Sequence, residues 1–167
     1  MTSLVTRSAR SRRTVAALGA ASAGLLVLSA CDKPTPLATV TVGSESVHSE
    51  AVCYEDGEEL TPSKVQDCLK DKSDIKSITV DPDEKVRFGV DPEIADGKGW
   101  TLLMNGQPLT AASKKTYVVI PGSVFFNEQY GGGASSSTVS LLEGGKSEGQ
   151  AKATGLWSFK LKKDKDA

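Results

Sequence analysis

Histidine is nearly absent from this sequence, because His48 is the single one among 167 residues. A serine–histidine–acid triad or a histidine-ligated metal site would have to use this side chain, which lies among Ser46, Ser49 and Glu50. A surface position on an early strand is the simpler interpretation. The chain also has only two methionines. It therefore offers few of the nitrogen and sulfur ligands that zinc and copper prefer. We therefore predict no metal, no cofactor and no catalytic residues.

Aromatic side chains are also few, with four Phe, three Tyr and two Trp in the whole chain. Most of them fall at core-facing positions of the strands predicted below, which leaves few to stack against a sugar ring. A small hydrolase that uses paired carboxylates stays open as an alternative, because the two carboxylates of such an enzyme meet in space rather than in sequence.

Basic residues do not form a stripe along the sequence. The first 30 residues contain four arginines and no acidic residue. The remaining 137 residues contain 16 Lys and Arg against 21 Asp and Glu, a net charge of −5. Binding to nucleic acid depends on clustered Lys and Arg that neutralise phosphates. We therefore predict no nucleic-acid partner.

No apolar run is long enough to span a membrane. The run Val15–Leu28 has 14 residues, whereas a transmembrane helix needs about 20. Four arginines precede it and small residues follow it, and these three parts in this order are typical of a signal peptide. We predict that residues 1–30 are a signal peptide that is removed.

The end of this segment reads Leu28-Ser29-Ala30-Cys31 and resembles the lipobox of bacterial lipoproteins. The resemblance implies cleavage before Cys31 and attachment of a diacylglycerol to its thiol through a thioether. The membrane would then be a partner through the lipid on Cys31, and the protein would lie on the extracytoplasmic face of the cell membrane. Ser11-Arg12-Arg13-Thr14 in turn resembles a twin-arginine export signal. The twin-arginine and general secretory routes both stay open.

The three cysteines support an exported protein. If lipid occupies Cys31, then Cys53 and Cys68 remain, and an oxidising compartment would join them. Their spacing fits neither a zinc pair nor a redox pair, both of which have two to four residues between the cysteines. We predict a disulfide between Cys53 and Cys68, with two separate buried thiols as the alternative.

Short strands dominate the rest of the chain. Alternating or β-branched segments are separated by turn signals, among them Asn105-Gly106, a strong hairpin signal. The pattern predicts a mainly β fold, an Ig-like β-sandwich or Greek-key barrel with one short helix. The helix would run from Thr61 as its N-cap, with Pro62 at its first position, to Leu69. The predicted strands are Ala38–Val42, Val47–Tyr54, Ser77–Val80, Lys85–Val90, Trp100–Met104, Lys115–Ile120, Val124–Phe126, Thr138–Leu142 and Leu156–Leu161.

These elements suggest an order of segments along the chain. Residues 31–38 would be the lipidated cysteine and a spacer that contains Pro34 and Pro36, residues 39–161 the sandwich domain, and residues 162–167 a charged tail. Prolines resist both helix and sheet, which favours an extended spacer.

One segment is a candidate partner-binding site. Phe125-Phe126 and Tyr130 run into a Gly/Ser stretch, and adjacent side chains on a strand face opposite ways. An exposed aromatic beside a flexible loop is a common recognition surface. The candidate residues, which would contact an envelope protein, are Phe126, Tyr130, Gly131, Gly132 and Gly133. A buried strand followed by a flexible hairpin tip is the alternative.

Two family resemblances bear on function. The lipobox, the segment Thr39–Gly43 and the stretch from Phe88 to Trp100 resemble small actinobacterial secreted lipoproteins of an uncharacterised family, which implies no activity. Gly97-Lys98-Gly99-Trp100 is similar to a loop of the chagasin-like cysteine-protease inhibitors, although their Asn-Pro-Thr-Thr-Gly loop is missing. We predict a membrane-anchored cell-envelope lipoprotein that acts as a non-catalytic binding or structural module. The alternatives are an exported protease inhibitor and the carboxylate-dependent hydrolase.

Overall fold

The computed structural model describes residues 35–55, 57–144, 146–147 and 150–166. The fold is mainly β, with two sheets and one helix of more than two turns, as predicted. The strands, in chain order, are β1 (Ala38–Val42), β2 (Glu45–Ser49), β3 (Cys53–Tyr54), β4 (Lys76–Val80), β5 (Lys85–Val90), β6 (Trp100–Met104), β7 (Gln107–Pro108), β8 (Tyr117–Pro121), β9 (Ser136–Glu143), β10 (Lys146–Ser147), β11 (Gln150–Ala151) and β12 (Gly155–Lys163). The α-helices are α1 (Pro62–Lys70) and the single-turn α2 (Pro92–Asp96), and 3₁₀ turns cover Gly122–Phe126 and Glu128–Tyr130.

The first sheet has the order β2-β1-β5-β8, and all its pairs are antiparallel. Its register places Val40 opposite Phe88, and both side chains are buried. The alternation predicted for β5 is confirmed, because Val86, Phe88 and Val90 are all buried. The opposite face of this sheet carries Arg87 together with the exposed Tyr117 and Val119 of β8.

The second sheet is built around β12. Strand β9 pairs with one edge of β12, β6 pairs with the other edge of β9, and β7 pairs with β6. The other edge of β12 pairs with β3 near Gly155 and, in parallel, with β4 from Phe159 onward. Helix α1 connects β3 to β4 and contacts β12. A short β10–β11 hairpin lies apart from both sheets.

The main core lies between the two sheets. The second sheet contributes Trp100, Trp157 and Phe159 to this core, and their side chains are fully buried. The Phe88 ring faces that of Phe125 at a centroid distance of 5.7 Å. Burial of one such side chain contributes about 1.5–3 kcal/mol, so each of these rings stabilises the domain by an amount of that order.

Helix α1 forms as predicted. Thr61 is the N-cap and its hydroxyl accepts a hydrogen bond from the backbone N–H of Lys64, while Pro62 occupies the first turn, where a missing N–H costs little. Cys68 is buried on the face that also carries the half-buried Val65 and Leu69. Five buried apolar residues lie outside the main core cluster, namely Leu60, Cys68, Leu103, Ala153 and Leu156.

The two ends of the sandwich differ in what they carry. Strand pairing places Ala38, Val90 and Tyr117 at one end of the first sheet, and Gly155 with Trp100 at the same end of the second. We call this the proximal end, because the chain enters the domain there. The turn after Val42, the start of β5 and the end of β12 lie at the other, distal end.

The strand predicted over Val124–Phe126 is wrong, because these residues belong to a 3₁₀ turn. A strand would turn one of the two adjacent phenylalanines away from the core. In the turn, Phe125 is fully buried and Phe126 is half-buried, and both pack against the main core. Gain of apolar burial by both rings outweighs the strand propensity of the segment.

Strand boundaries also differ at both ends of the domain. Strand β12 continues through Lys163, and the N–H of Asp164 donates to the carbonyl of Val80. The first residues of the segment interpreted as a charged tail therefore belong to the sheet. At the other end, the predicted second strand is divided into β2 and β3.

Candidate functional site

The predicted partner-binding residues lie at the distal end, but only one presents an aromatic side chain to solvent. Tyr130 is 61 % exposed, whereas Phe126 packs against the core. Gly131 follows Tyr130 in the left-handed conformation (φ 79°) that favours glycine. The recognition surface available here is therefore the phenol ring and the loop backbone beside it.

Asn105 holds this loop against the second sheet. Its side-chain Nδ2 donates to the carbonyl of Gly131 at 2.6 Å, and its Oδ1 accepts from the N–H of Thr138 at 3.0 Å. The Asn105-Gly106 hairpin is formed as predicted, with φ values of 49° and 83°. The turn itself is recognisable in the sequence, but an Asn-Gly pair gives no signal for this second role of Asn105.

The Gly/Ser stretch after Tyr130 is closely packed. A side-chain carbon at Gly132 would lie 2.4 Å from the carbonyl oxygen of Phe125. The N–H of Gly133 donates to the Ser137 hydroxyl at 2.8 Å, and that hydroxyl donates to the same Phe125 carbonyl. This stretch forms a compact turn, in which glycine lets the backbone approach the Phe125 carbonyl closely.

The predicted lipidation residue Cys31 and the signal peptide of residues 1–30 lie outside the described residues. The first described residues are bound to the proximal end. Trp157 Nε1 donates to the carbonyl of Pro36 at 2.7 Å, and the N–H of Leu37 donates to Asp91 Oδ2 at 2.8 Å. The N–H of Ala51 donates to the Thr35 hydroxyl. Part of the predicted spacer therefore belongs to the folded domain.

Cys53 and Cys68 form a disulfide, with their Cα atoms 6.1 Å apart. Cys53 lies on edge strand β3 and Cys68 is buried on α1. The bond therefore fixes the helix to the sheet, which is a structural role.

His48 is exposed on β2, and its Nδ1 lies 3.2 Å from the Thr39 hydroxyl. Asp81 accepts a hydrogen bond from the N–H of Asp83 through its side chain, which is an ordinary turn interaction. Among the described residues, no three His, Cys, Asp or Glu side chains come together as a metal ion would require.

Glu143 lies at the proximal end of β9, and its pKa is raised above the ordinary value. Burial raises its pKa, and the nearby charge of Glu93 adds to the increase, while a hydrogen bond from Thr154 opposes it. Its Oε2 is buried without a hydrogen-bond partner. A carboxyl group with a raised pKa is what the general acid of a carboxylate-dependent hydrolase requires, so Glu143 is the residue to which that alternative would assign this role.

The segment that resembles the protease inhibitors leads directly into the core. Gly99 adopts φ 78°, and a side-chain carbon there would lie 2.8 Å from the Ser113 carbonyl oxygen. Trp100 is fully buried, and its Nε1 donates to the Lys115 carbonyl at 2.8 Å. The indole therefore has no surface to offer a protease.

Lysines that are far apart in sequence gather on one face of the domain, which the sequence analysis did not foresee. Strand β12 runs beside β9 with Lys160 opposite Thr138. Lys160 lines a hollow at the end of β12, and Thr138 lines a second hollow between α1 and the β6–β7 hairpin. The two hollows are therefore neighbours on the surface. We call this surface the lysine face, and its basic residues are Lys70, Lys72, Lys160, Lys162, Lys163 and Lys165.

Within the described part of the chain, no helix is both long and apolar enough to cross a membrane. Comparison with protein-family models, with curated proteins and with solved structures found no match.

Proposed function

We propose that this chain is a membrane-anchored lipoprotein of the cell envelope, whose β-sandwich is a non-catalytic binding module. In this proposal residues 1–30 direct export and are removed, and Cys31 carries the lipid. The domain then lies on the extracytoplasmic face of the membrane, and the distal end carries the surface for an envelope partner.

The observation that carries the proposal is the place where the chain joins the domain. Thr35 and Pro36 are already bound at the proximal end, through Ala51 and Trp157. Four residue steps separate Cys31 from Thr35, so their Cα atoms can be at most about 14 Å apart. A lipid on Cys31 would hold the proximal end close to the membrane surface.

The distal end would then point away from the membrane. Strand β12 has nine residues, which at about 3.3 Å per residue extends roughly 26 Å from Gly155 to Lys163. Tyr130, held by the Asn105–Gly131 contact, lies at this distal end with 61 % of its surface exposed. A rigid loop with an exposed tyrosine suits recognition, because the ring buries area at little cost in side-chain entropy.

Two exposed tyrosines allow a matched test. Tyr117, which is 56 % exposed, lies at the proximal end on β8. A photo-cross-linking phenylalanine analogue would replace either Tyr130 or Tyr117 in the full chain in cells. We expect discrete protein adducts from position 130 and none of the same mass from position 117. Identical adducts from both positions, or none from 130, would contradict a distal binding surface.

A further inference from the structure

We propose that the lysine face binds a linear phosphodiester polymer of the cell envelope. This inference rests on the proposed function for its location outside the cell, and it names a partner class for a surface next to the Tyr130 loop. Four observations support it: among the residues that the structure describes, the lysines have no carboxylate partner within 4.0 Å, hydroxyl donors line the face, the surface is concave, and it lies away from the proximal end.

The charge of the lysine face is strongly segregated. The residues that line its two hollows include six lysines and one carboxylate, Asp164, in a mature chain whose net charge is −5. Among the described residues, no carboxylate oxygen lies within 4.0 Å of any of these six ammonium groups. Asp164 in the lining and Asp71 beside Lys72 offset only part of this positive charge. Like charges held together destabilise the folded chain, and an anionic ligand would reduce that repulsion.

Several neutral residues of the face carry hydrogen-bond donors. Ser135, Ser136 and Thr138 line the two hollows together with the lysines. Arginine, which binds both carboxylate and phosphate groups through a planar fork, is absent from the lining, so the positive charge of the face comes from lysine alone. Lysine binds phosphate as a point charge, and hydroxyl donors complement the remaining phosphate oxygens. No aromatic side chain lines these hollows, so base stacking would contribute nothing.

The shape of the face favours a polymer strand over a flat lipid surface. The two adjoining hollows have volumes of about 500 and 550 Å³. Gln66, Leu69 and Lys70 of α1 form one wall of the second hollow. A narrow chain can follow the two hollows, whereas a flat surface contacts only their rims.

The position of the face agrees with this choice. Lys160 and Lys162 lie three and five residues beyond Trp157 on β12, or roughly 10 and 17 Å farther from the proximal end. A lipid at Cys31 would hold these two lysines away from the headgroups of its own membrane. At that distance from the membrane, polymers of the envelope are accessible to them.

The test measures binding of the full chain, purified in detergent, to a fluorescent glycerol phosphate oligomer. Wild type should bind with an affinity that falls steeply as salt increases, as expected when counterions are released. The double variant Lys160→Glu, Lys162→Glu should bind at least about tenfold more weakly. The control variant Lys114→Glu, Lys115→Glu makes the same change in net charge at two exposed lysines of the proximal end, and should stay within about twofold of wild type. These fold-changes are order-of-magnitude expectations for the loss of two phosphate contacts.

Further measurements make each outcome decisive. Equal unfolding temperatures of the variants show that a loss is not unfolding, and Lys160→Arg, Lys162→Arg should retain binding. Equal losses in both Glu variants, equal binding to polygalacturonate, or binding only to phosphatidylglycerol vesicles would overturn the proposal. Palmitate labelling of the same wild-type preparation separates the two claims. A labelled chain that does not bind the oligomer contradicts this inference alone, and an unlabelled chain that binds it contradicts the lipoprotein proposal alone.

Discussion

The side-chain amide of Asn105 donates a 2.6 Å hydrogen bond to the backbone carbonyl of Gly131. This contact joins a hairpin of the second sheet to the loop that presents Tyr130. The loop is therefore positioned by a residue 26 positions away in sequence.

Asn105→Gly tests this connection without disturbing the turn, because glycine accepts the positive φ of position 105. Loss of the bonds to Gly131 and Thr138 should lower the free energy of unfolding by about 1–2 kcal/mol. Amide hydrogen exchange at Gly132 and Gly133 should also accelerate. Asn105→Asp is the matched variant, since it retains the acceptor for Thr138 and removes only the donor to Gly131. Unchanged loop protection in both variants would contradict the assigned role.

The disulfide between Cys53 and Cys68 should stabilise the domain by about 3 kcal/mol, because it closes a loop of about 15 residues in the unfolded chain. Reduction should lower the unfolding temperature by roughly ten degrees, and the Cys53→Ser, Cys68→Ser variant should match the reduced protein. Thiol titration of the denatured, unreduced domain should find neither cysteine reactive. Two reactive thiols at these positions would refute the pairing.

Ser140 and Ser158 form a buried hydroxyl pair at 2.8 Å. Either single change to alanine leaves the other hydroxyl buried without a partner and should cost about 1–2 kcal/mol. The double change removes both polar groups and should cost less than the sum of the two single changes. Denaturant unfolding of the four proteins measures this coupling, and strict additivity would show that the pair is not coupled.

Glu143 should make the domain sensitive to pH. Its pKa in the folded state is raised, chiefly by burial, so the folded state binds more protons than the unfolded state in that range. Stability is then greatest when Glu143 is protonated and falls as the pH rises through the unfolded and then the folded pKa. Glu143→Gln should raise the unfolding temperature by a few degrees at neutral pH, with the two proteins converging in acid. A lower unfolding temperature for Glu143→Gln at neutral pH would contradict this account.

Local signals predicted much of the fold. The Thr61-Pro62 start of α1, the Asn105-Gly106 turn and the alternation in β5 are determined by residues near one another in sequence. Phe125-Phe126 was misassigned because tertiary burial of both rings overrides a strand pattern. Ser158 shares its face of β12 with the exposed Lys160 and Lys162, yet it is buried beside Ser140.

The candidate surfaces were harder to predict. Tyr130 was identified from its exposed aromatic character, but the contact that fixes its loop comes from a distant hairpin. The lysine face could not be found as a stripe, because Lys70 and Lys160 are 90 positions apart in sequence. They come to one surface because α1 leads into β4, and β4 pairs with β12, the strand that carries Lys160.

Metabolic labelling with radioactive palmitate tests the central claim most directly. The full chain should incorporate label and sediment with membranes, and Cys31→Ala should lose both properties, because the thiol of Cys31 is the proposed attachment point for the lipid. Cys53→Ser, Cys68→Ser serves as the control and should retain the label. Equal incorporation by Cys31→Ala and wild type would contradict the proposal that this domain is anchored through Cys31.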